Sequence, residues 1–253
     1  FNTVLYTGNA GTQSITGVGF SPDWLWVKNR ATTYSHALVD SVRGATLSMA
    51  SDSTAAERTS DITSLDSDGF SLQFVTATGS YSENQGSQAY VAWNWLAGTA
   101  FSNDASATGV GTIDSSGQVN TKAGFSIISF AGNATAGATV AHSLNSAPEM
   151  LILKNRDSGS EYWTVFHTDV GNTKSLFLNS NGAADTSSAY WNNTSPTSSV
   201  FSLGGNPVNN GSGNDIICYA FHSVEGYCKV GSYVGNANAD GTFVYTGFRP
   251  AWV

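Results

Sequence analysis

The chain has 253 residues, a net charge of −8, and ten Lys and Arg against 18 Asp and Glu. Ten scattered cations argue against a nucleic-acid partner, because phosphate binding needs them clustered. Charged residues make up only 11% and hydrophobic ones 40%, so the chain folds around a core and hydrogen-bonds outward through Gly, Ser, Thr and Asn. No apolar run reaches the roughly 18 residues of a membrane span and no signal-peptide core is visible, so no membrane insertion is expected. A start at Phe1 reads as a processed product or an excerpt of something longer.

In chain order, short apolar runs punctuated by Gly, Asn and Ser predict strands at Val4–Tyr6, Trp24–Val27, Ala37–Val39, Phe70–Phe74 and Tyr90–Trp95. Asp68-Gly69 predicts a two-residue type I′ hairpin turn. Residues 97–118, rich in Gly, Ser, Ala and Asp, read as connector. Strands resume at Ser126–Phe130, Met150–Leu153, Trp163–Phe166, Ser175–Leu178, Val200–Leu203 and Ile216–Phe221. The one helical candidate, Thr54–Arg58, is too short to count. Many short strands with frequent turns predict an all-β sandwich or jelly roll.

The chain also repeats itself. PDWLWVKNR at 22–30 returns as PEMLILKNR at 148–156, and YVAWNW at 90–95 as IICYAF at 216–221. His36–Asp40 followed by Gly44 corresponds to Trp163–His167 followed by Gly171. A register kept along the whole unit predicts tandem sandwiches: residues 1–100, a connector at 101–118, and residues 119–226. Each repeat is expected to hold its own aromatic-rich interior. KVGSYVGN at 229–236 parallels NTVLYTGN at 2–9 and SIISFAGN at 126–133, so residues 227–253 open a third repeat or complete the second sheet.

Chemistry-bearing motifs are few. The four histidines (His36, His142, His167 and His222) have no counterpart histidine in the other repeat, and no nucleophile elbow, zinc motif or P-loop is present. His167 with Asp169 gives a triad only on paper. Asp40, Asp61, Asp66 and Asp68 could supply a glycosidase carboxylate pair, yet turn positions explain Asp66 and Asp68, and the second repeat lacks the cluster. A non-enzymatic protein is expected. Asp66 and Asp68 are the candidates for calcium, the only cofactor considered, against a solvated turn as the preferred reading. Cys218 and Cys228 read as free thiols. Sequons at Asn133, Asn192, Asn193 and Asn210 are at the level chance supplies.

The repeated Lys-Asn-Arg triplets could bind anions or sugars; their retention favours strand-end cations that pair with acidic residues. Trp24 and Trp26 share one strand face, as do Trp93 and Trp95, and both faces of these strands are core only if the sheet is covered on both sides. Tyr34, Tyr81 and Tyr190-Trp191-Asn192-Asn193 fall in Gly/Ser/Asn-rich loops, where rings stack on sugars and amides bind hydroxyls; they are the candidate ligand-binding residues.

With those motifs assembled, the chain resembles the repeated concanavalin- or SPRY-like β-sandwich domains of structural and tail-fibre-like proteins of tailed, especially marine, phages. GVGFSPDWLWVKNR at 17–30, DSVRG at 40–44, DSDGF at 66–70, YVAWNW at 90–95 and FHSVEGY at 221–227 carry the likeness. The resemblance implies a virion-surface or extracellular location, other virion chains as partners, homo-oligomerisation and contact with host surface glycans or proteins. A purely structural or decoration module is the alternative, a polysaccharide depolymerase the second.

Overall fold

The computed structural model describes residues 1–74 and 81–253. The first repeat contributes β1 (Asn2–Thr7), β2 (Thr12–Thr16), β3 (Trp24–Asn29), β4 (Ala37–Asp40) and β5 (Leu47–Ser48). It continues with β6 (Arg58–Thr59), β7 (Ile62–Asp66), β8 (Gly69–Gln73) and β9 (Ala89–Trp95). Then come β10 (Thr99–Asn103), the helical turn α1 (Ala105–Thr108) and β11 (Ser115–Asn120). The second repeat supplies β12 (Phe125–Ala131), β13 (Ala138–Ala141), β14 (Met150–Asn155), β15 (Thr164–His167), β16 (Lys174–Phe177) and β17 (Asp185–Thr186). It ends with α2 (Ser188–Trp191), β18 (Val200–Leu203), α3 (Pro207–Asn210) and β19 (Asp215–Phe221). The fold is an all-β sandwich, and the helices are single turns.

One sheet runs β1-β9-β3-β4; in a larger one, β12-β19-β14-β15 has the same order, with β16 and β17 added at one edge and β11 and β10 at the other. Among the described residues every pairing between named strands is antiparallel, which the short connections allow. Strand alternation divides the side chains. Leu25, Val27, Tyr90 and Ala92 face β2-β8-β7 and build one core with Ile62, Phe70 and Leu72. Leu151, Leu153, Ile216 and Cys218 face β13-β18 and build a second core with Phe130, Phe166, Trp191 and Phe201.

The opposite faces of the two large sheets meet each other. Trp24, Trp95, Phe125, Ile152, Trp163, Tyr219 and Phe221 form a third buried cluster, with Trp26, Trp93 and Met150 packed on it. Trp24 stacks on Tyr219 at 4.4 Å and on Phe125 at 5.6 Å. Each repeat keeps an interior with aromatic side chains, but a third, shared interior is added to the expected two: five of the seven tryptophans line the seam between repeats, because both large sheets are covered on both faces. Burying an aromatic side chain is worth roughly 1.5–3 kcal/mol, so the seam is as much a core as either sandwich.

Polar groups cross the same seam. Arg43 Nε donates to Asp40 Oδ2 at 2.6 Å, Arg43 Nη1 to Glu57 Oε1 at 2.8 Å, and Tyr219 Oη to the same Asp40 Oδ2 at 2.7 Å. Glu57 also receives Arg156 of the second repeat at 2.9 Å. Burial works against the Arg43 charge, but Asp40, Tyr219 and Glu57 outweigh it and raise its pKa. Removing one member of such a network strands a buried charge.

Three sequence readings change. Residues 101–118 are not a bare connector: they carry the rest of β10, α1 and the start of β11, and the β10–β11 hairpin covers the β12 edge. Residues 227–253 neither complete the second sheet nor form strands; the last strand is β19, and beyond it only the isolated bridge Val224–Cys228 is made. The tail instead lays Trp252 against Trp95 and Trp26, at 5.5 and 6.1 Å. The β7–β8 turn consists of Ser67 and Asp68, neither with positive φ, while Gly69 opens β8 at φ 151°. A Cβ on Gly69 would sit 1.9 Å from the Ile15 carbonyl oxygen, so close backbone approach, not a type I′ turn, requires glycine here.

Candidate functional site

The Lys-Asn-Arg triplet proves to be a loop-holding device. Lys28 Nζ donates to the carbonyls of Asn29, Thr32 and Tyr34, at 2.9, 3.1 and 2.6 Å. Lys154 Nζ donates to those of Ser158, Glu161 and, across the seam, Thr54, at 3.2, 3.0 and 3.1 Å. Asn29 Oδ1 accepts from the amides of Ala31 and Thr32, as Asn155 Oδ1 does from Asp157 and Ser158. Three carbonyls use all three donors of an ammonium, so neither lysine has a proton left for an anion. Among the described residues the expected acidic partner is seen only for Arg156, which pairs with Glu57 at 2.9 Å and Asp215 at 3.5 Å. Burial lowers the Lys154 pKa to about 8, which leaves it charged at neutral pH.

The loop held by Lys154 ends in Tyr162, 46% exposed, just before β15. Its neighbour Trp163 is fully buried, and Trp163 Nε1 donates to the Ala50 carbonyl of the first repeat at 2.8 Å. The Trp163 amide donates to Asn179 Oδ1 at 2.9 Å, and the Leu178 amide to the Trp163 carbonyl at 3.0 Å. These bonds draw the 50–54 loop, Tyr162 and residues 178–181 to one place on the seam. Between them lies a cleft of about 500 Å³ lined by Asp52, Tyr162, Leu178, Asn179, Ser180 and Asn181. It is a shallow surface cleft, open to solvent. Phe177 backs the Tyr162 ring at 5.2 Å. Asp52 Oδ1 accepts from the His36 amide at 3.3 Å, which orients the carboxylate. The site thus offers one exposed aromatic ring, one aliphatic side chain, two amides, two hydroxyls and a carboxylate.

The residues singled out in the sequence lie elsewhere. Tyr190 and Trp191 belong to α2 and are core, 8% and 1% exposed, so no ring face is free for a sugar. Trp191 packs on Phe166 at 5.7 Å. Asn192 caps α2 in the left-handed region and Asn193 follows at φ 50°, both exposed. Tyr81 lies under the Arg58 guanidinium at 4.4 Å, and Tyr34 is half-buried in the loop that Lys28 holds. Sequence reasoning passed over Tyr162 because the neighbouring Trp163 reads as the first residue of a strand. The signal was present in the Ser-Gly-Ser run at 158–160, which marks a loop.

The carboxylates are engaged in structure. Asp66 accepts from the hydroxyls of Ser64 and Ser71, at 2.8 and 2.7 Å. Asp68 accepts from the amides of Gly19 and Gly17, which hold its pKa below the usual carboxylate value. No cluster of three or more His, Cys, Asp or Glu suited to a metal occurs among the described residues. Asp61 Oδ2 accepts from Ser82 Oγ and the amides of Glu83 and Asn84, while Glu83 Oε2 accepts from the Asp61 amide. His167 Nδ1 accepts from the Asp169 amide. Cys218 and Cys228 are free thiols, and Asn210 of the sequons is fully buried. No helix among the described residues is long and apolar enough to cross a membrane.

Fold and site together define a double β-sandwich with a polar-aromatic cleft where its halves join. The chain belongs to the family described as a domain of unknown function, DUF7483, which matches residues 1–253 and so takes in both repeats and the tail. No curated protein and no solved structure matches it.

Proposed function

We propose that the chain is a non-enzymatic segment of a phage tail fibre or other virion surface appendage, and that its loops contact glycans or proteins of the host surface. The observation that supports this reading is where the charge goes. Five of the ten cations, Lys28, Lys154, Arg43, Arg58 and Arg156, bond to internal partners, while Arg30, Lys122, Lys174, Lys229 and Arg249 are exposed, so around the loop that Lys154 holds a ligand meets hydroxyls, amides and an exposed tyrosine. Such a surface suits neutral hydroxyl-rich ligands, and its rigidity lowers the entropy cost of binding. The test is adsorption of the purified chain to host cells before and after periodate oxidation of surface sugars. Loss of binding after oxidation is expected; no adsorption to any host surface contradicts the reading.

A structural or decoration role is the second reading, favoured by the exposed Tyr233, Val234, Phe243 and Tyr245 of the tail. Contiguous exposed apolar side chains mark assembly surfaces. Under that reading these residues are shielded from solvent labelling in assembled particles, and the isolated chain binds no cell surface.

A further inference from the structure

We propose that the seam cleft is a binding site for an uncharged oligosaccharide, with Tyr162 as the stacking platform. The inference rests on the host-contact reading above and adds the place and the ligand class. Tyr162, 46% exposed, lines the cleft beside the exposed Leu178, and together they offer an apolar strip suited to the C–H face of a pyranose. Polar groups flank that strip. Asn179 Oδ1 is taken by the Trp163 amide, which leaves its Nδ2 to donate, while the Asn181 side chain offers a donor and an acceptor. Asp52 is exposed and spends Oδ1 on the His36 amide, which leaves Oδ2 as an acceptor for sugar hydroxyls. Alternating donors and acceptors beside a ring are what a sugar edge of vicinal hydroxyls can satisfy.

Charge decides against an anionic ligand. Asp52 is the cleft's only ionisable carboxylate, and the nearby cation, Lys154, is fully buried with three carbonyl partners. A uronate or sulfate would meet a like charge with no ammonium to offset it, against a protein of net charge −8. The walls come from both repeats and are fixed by the Trp163–Ala50 and Lys154–Thr54 bonds, so the site is formed before ligand arrives.

The experiment uses the whole chain with size-matched hexasaccharides: neutral gluco-, manno- and galacto-oligosaccharides, and oligouronate and sulfated galactan as anionic probes. Saturation-transfer NMR finds binding and calorimetric titration measures it. At least one neutral hexasaccharide binds, each anionic probe binds at least tenfold more weakly, Tyr162→Ala weakens binding at least tenfold, and Tyr162→Phe stays within threefold. Tyr162→Ala melts within a few degrees of the parent, as its exposure requires. Neutral-sugar binding that survives Tyr162→Ala overturns this site while leaving the host-contact reading intact, as does preference for the anionic probes. Absence of binding to every probe, with cell adsorption retained, overturns the site alone; loss of both overturns site and reading together.

Discussion

The two repeats share a hydrogen-bond skeleton and little else. Asp23 and Glu149 hold the same station: the amide of each donates to the end of the neighbouring strand, at Trp95 and Phe221, and its carboxylate receives amides of the next turn. Asn84 Oδ1 accepts from the Asn9 amide as Asn210 Oδ1 does from Asn133. Gly44 and Gly171 turn at φ 98° and 87° onto the carbonyls of Asp40 and His167. The contrast lies on the face the repeats turn towards each other. The first offers Trp24, Trp26, Trp93 and Trp95; the second offers Met150, Ile152, Tyr219 and Phe221 at the same stations. Asp40 and Arg43 stand where the second repeat has His167 and Val170. A common scaffold with unlike seam residues makes each face complementary to the other instead of to itself, and the cleft arises at the rim of that seam.

Substitutions break or sharpen this comparison to different degrees. Trp24→Ala empties the seam and should cost about 3–5 kcal/mol, read by urea unfolding; the corresponding Met150→Ala, at a half-buried position, should cost less. Arg43→Met leaves Asp40 buried without its cation and should also cost about 3–5 kcal/mol, whereas Val170→Met at the equivalent station should stay within about 0.5 kcal/mol.

Acid should act mainly through the second repeat, beside the partly buried His36 of the first, whose pKa burial also lowers. Burial lowers the His142 pKa to about 4, from an ordinary 6.5, and Nε2 faces the Thr197 carbonyl while Nδ1 accepts from the Leu144 amide. The unfolded chain therefore binds the extra proton first. The contribution is fully present above pH 6.5 and is lost as pH falls to about 4, a loss of up to roughly 3 kcal/mol. Urea midpoints at pH 7, 5.5 and 4 should show that slope, and His142→Asn should flatten it. The first repeat, with Thr16 at that station, has no equivalent. A smaller loss is expected at the shared turn: Gly44→Ala and Gly171→Ala meet open space and should each cost only the left-handed penalty of about 1–2 kcal/mol, equal within about 0.5 kcal/mol.

What the sequence made legible follows the same physics. Strands that bury an apolar face, such as β3, β9, β12, β14 and β19, announce themselves through alternation or continuous apolar runs. Strands built from TQSIT at 12–16, TAFSN at 99–103 and SSGQVN at 115–120 do not, because long-range pairing fixes them more than side-chain burial does. The paired tryptophans made a doubly covered sheet the condition for burying both faces, but did not say whether or by what it was covered. Tyr190-Trp191 carries the composition of a sugar platform and is core, since α2 folds it beneath β18. Tyr162 carries no motif. Its exposure is set by Lys154, Trp163 and Asn179, whose contacts join residues distant in sequence and, through Lys154–Thr54 and Trp163–Ala50, the other repeat.

The central claim is that the seam joins the repeats into one cooperative unit. Differential scanning calorimetry of the intact chain tests it directly. One transition, with calorimetric and van't Hoff enthalpies equal, is the predicted result; two resolved transitions, or a van't Hoff enthalpy near half the calorimetric one, would contradict it.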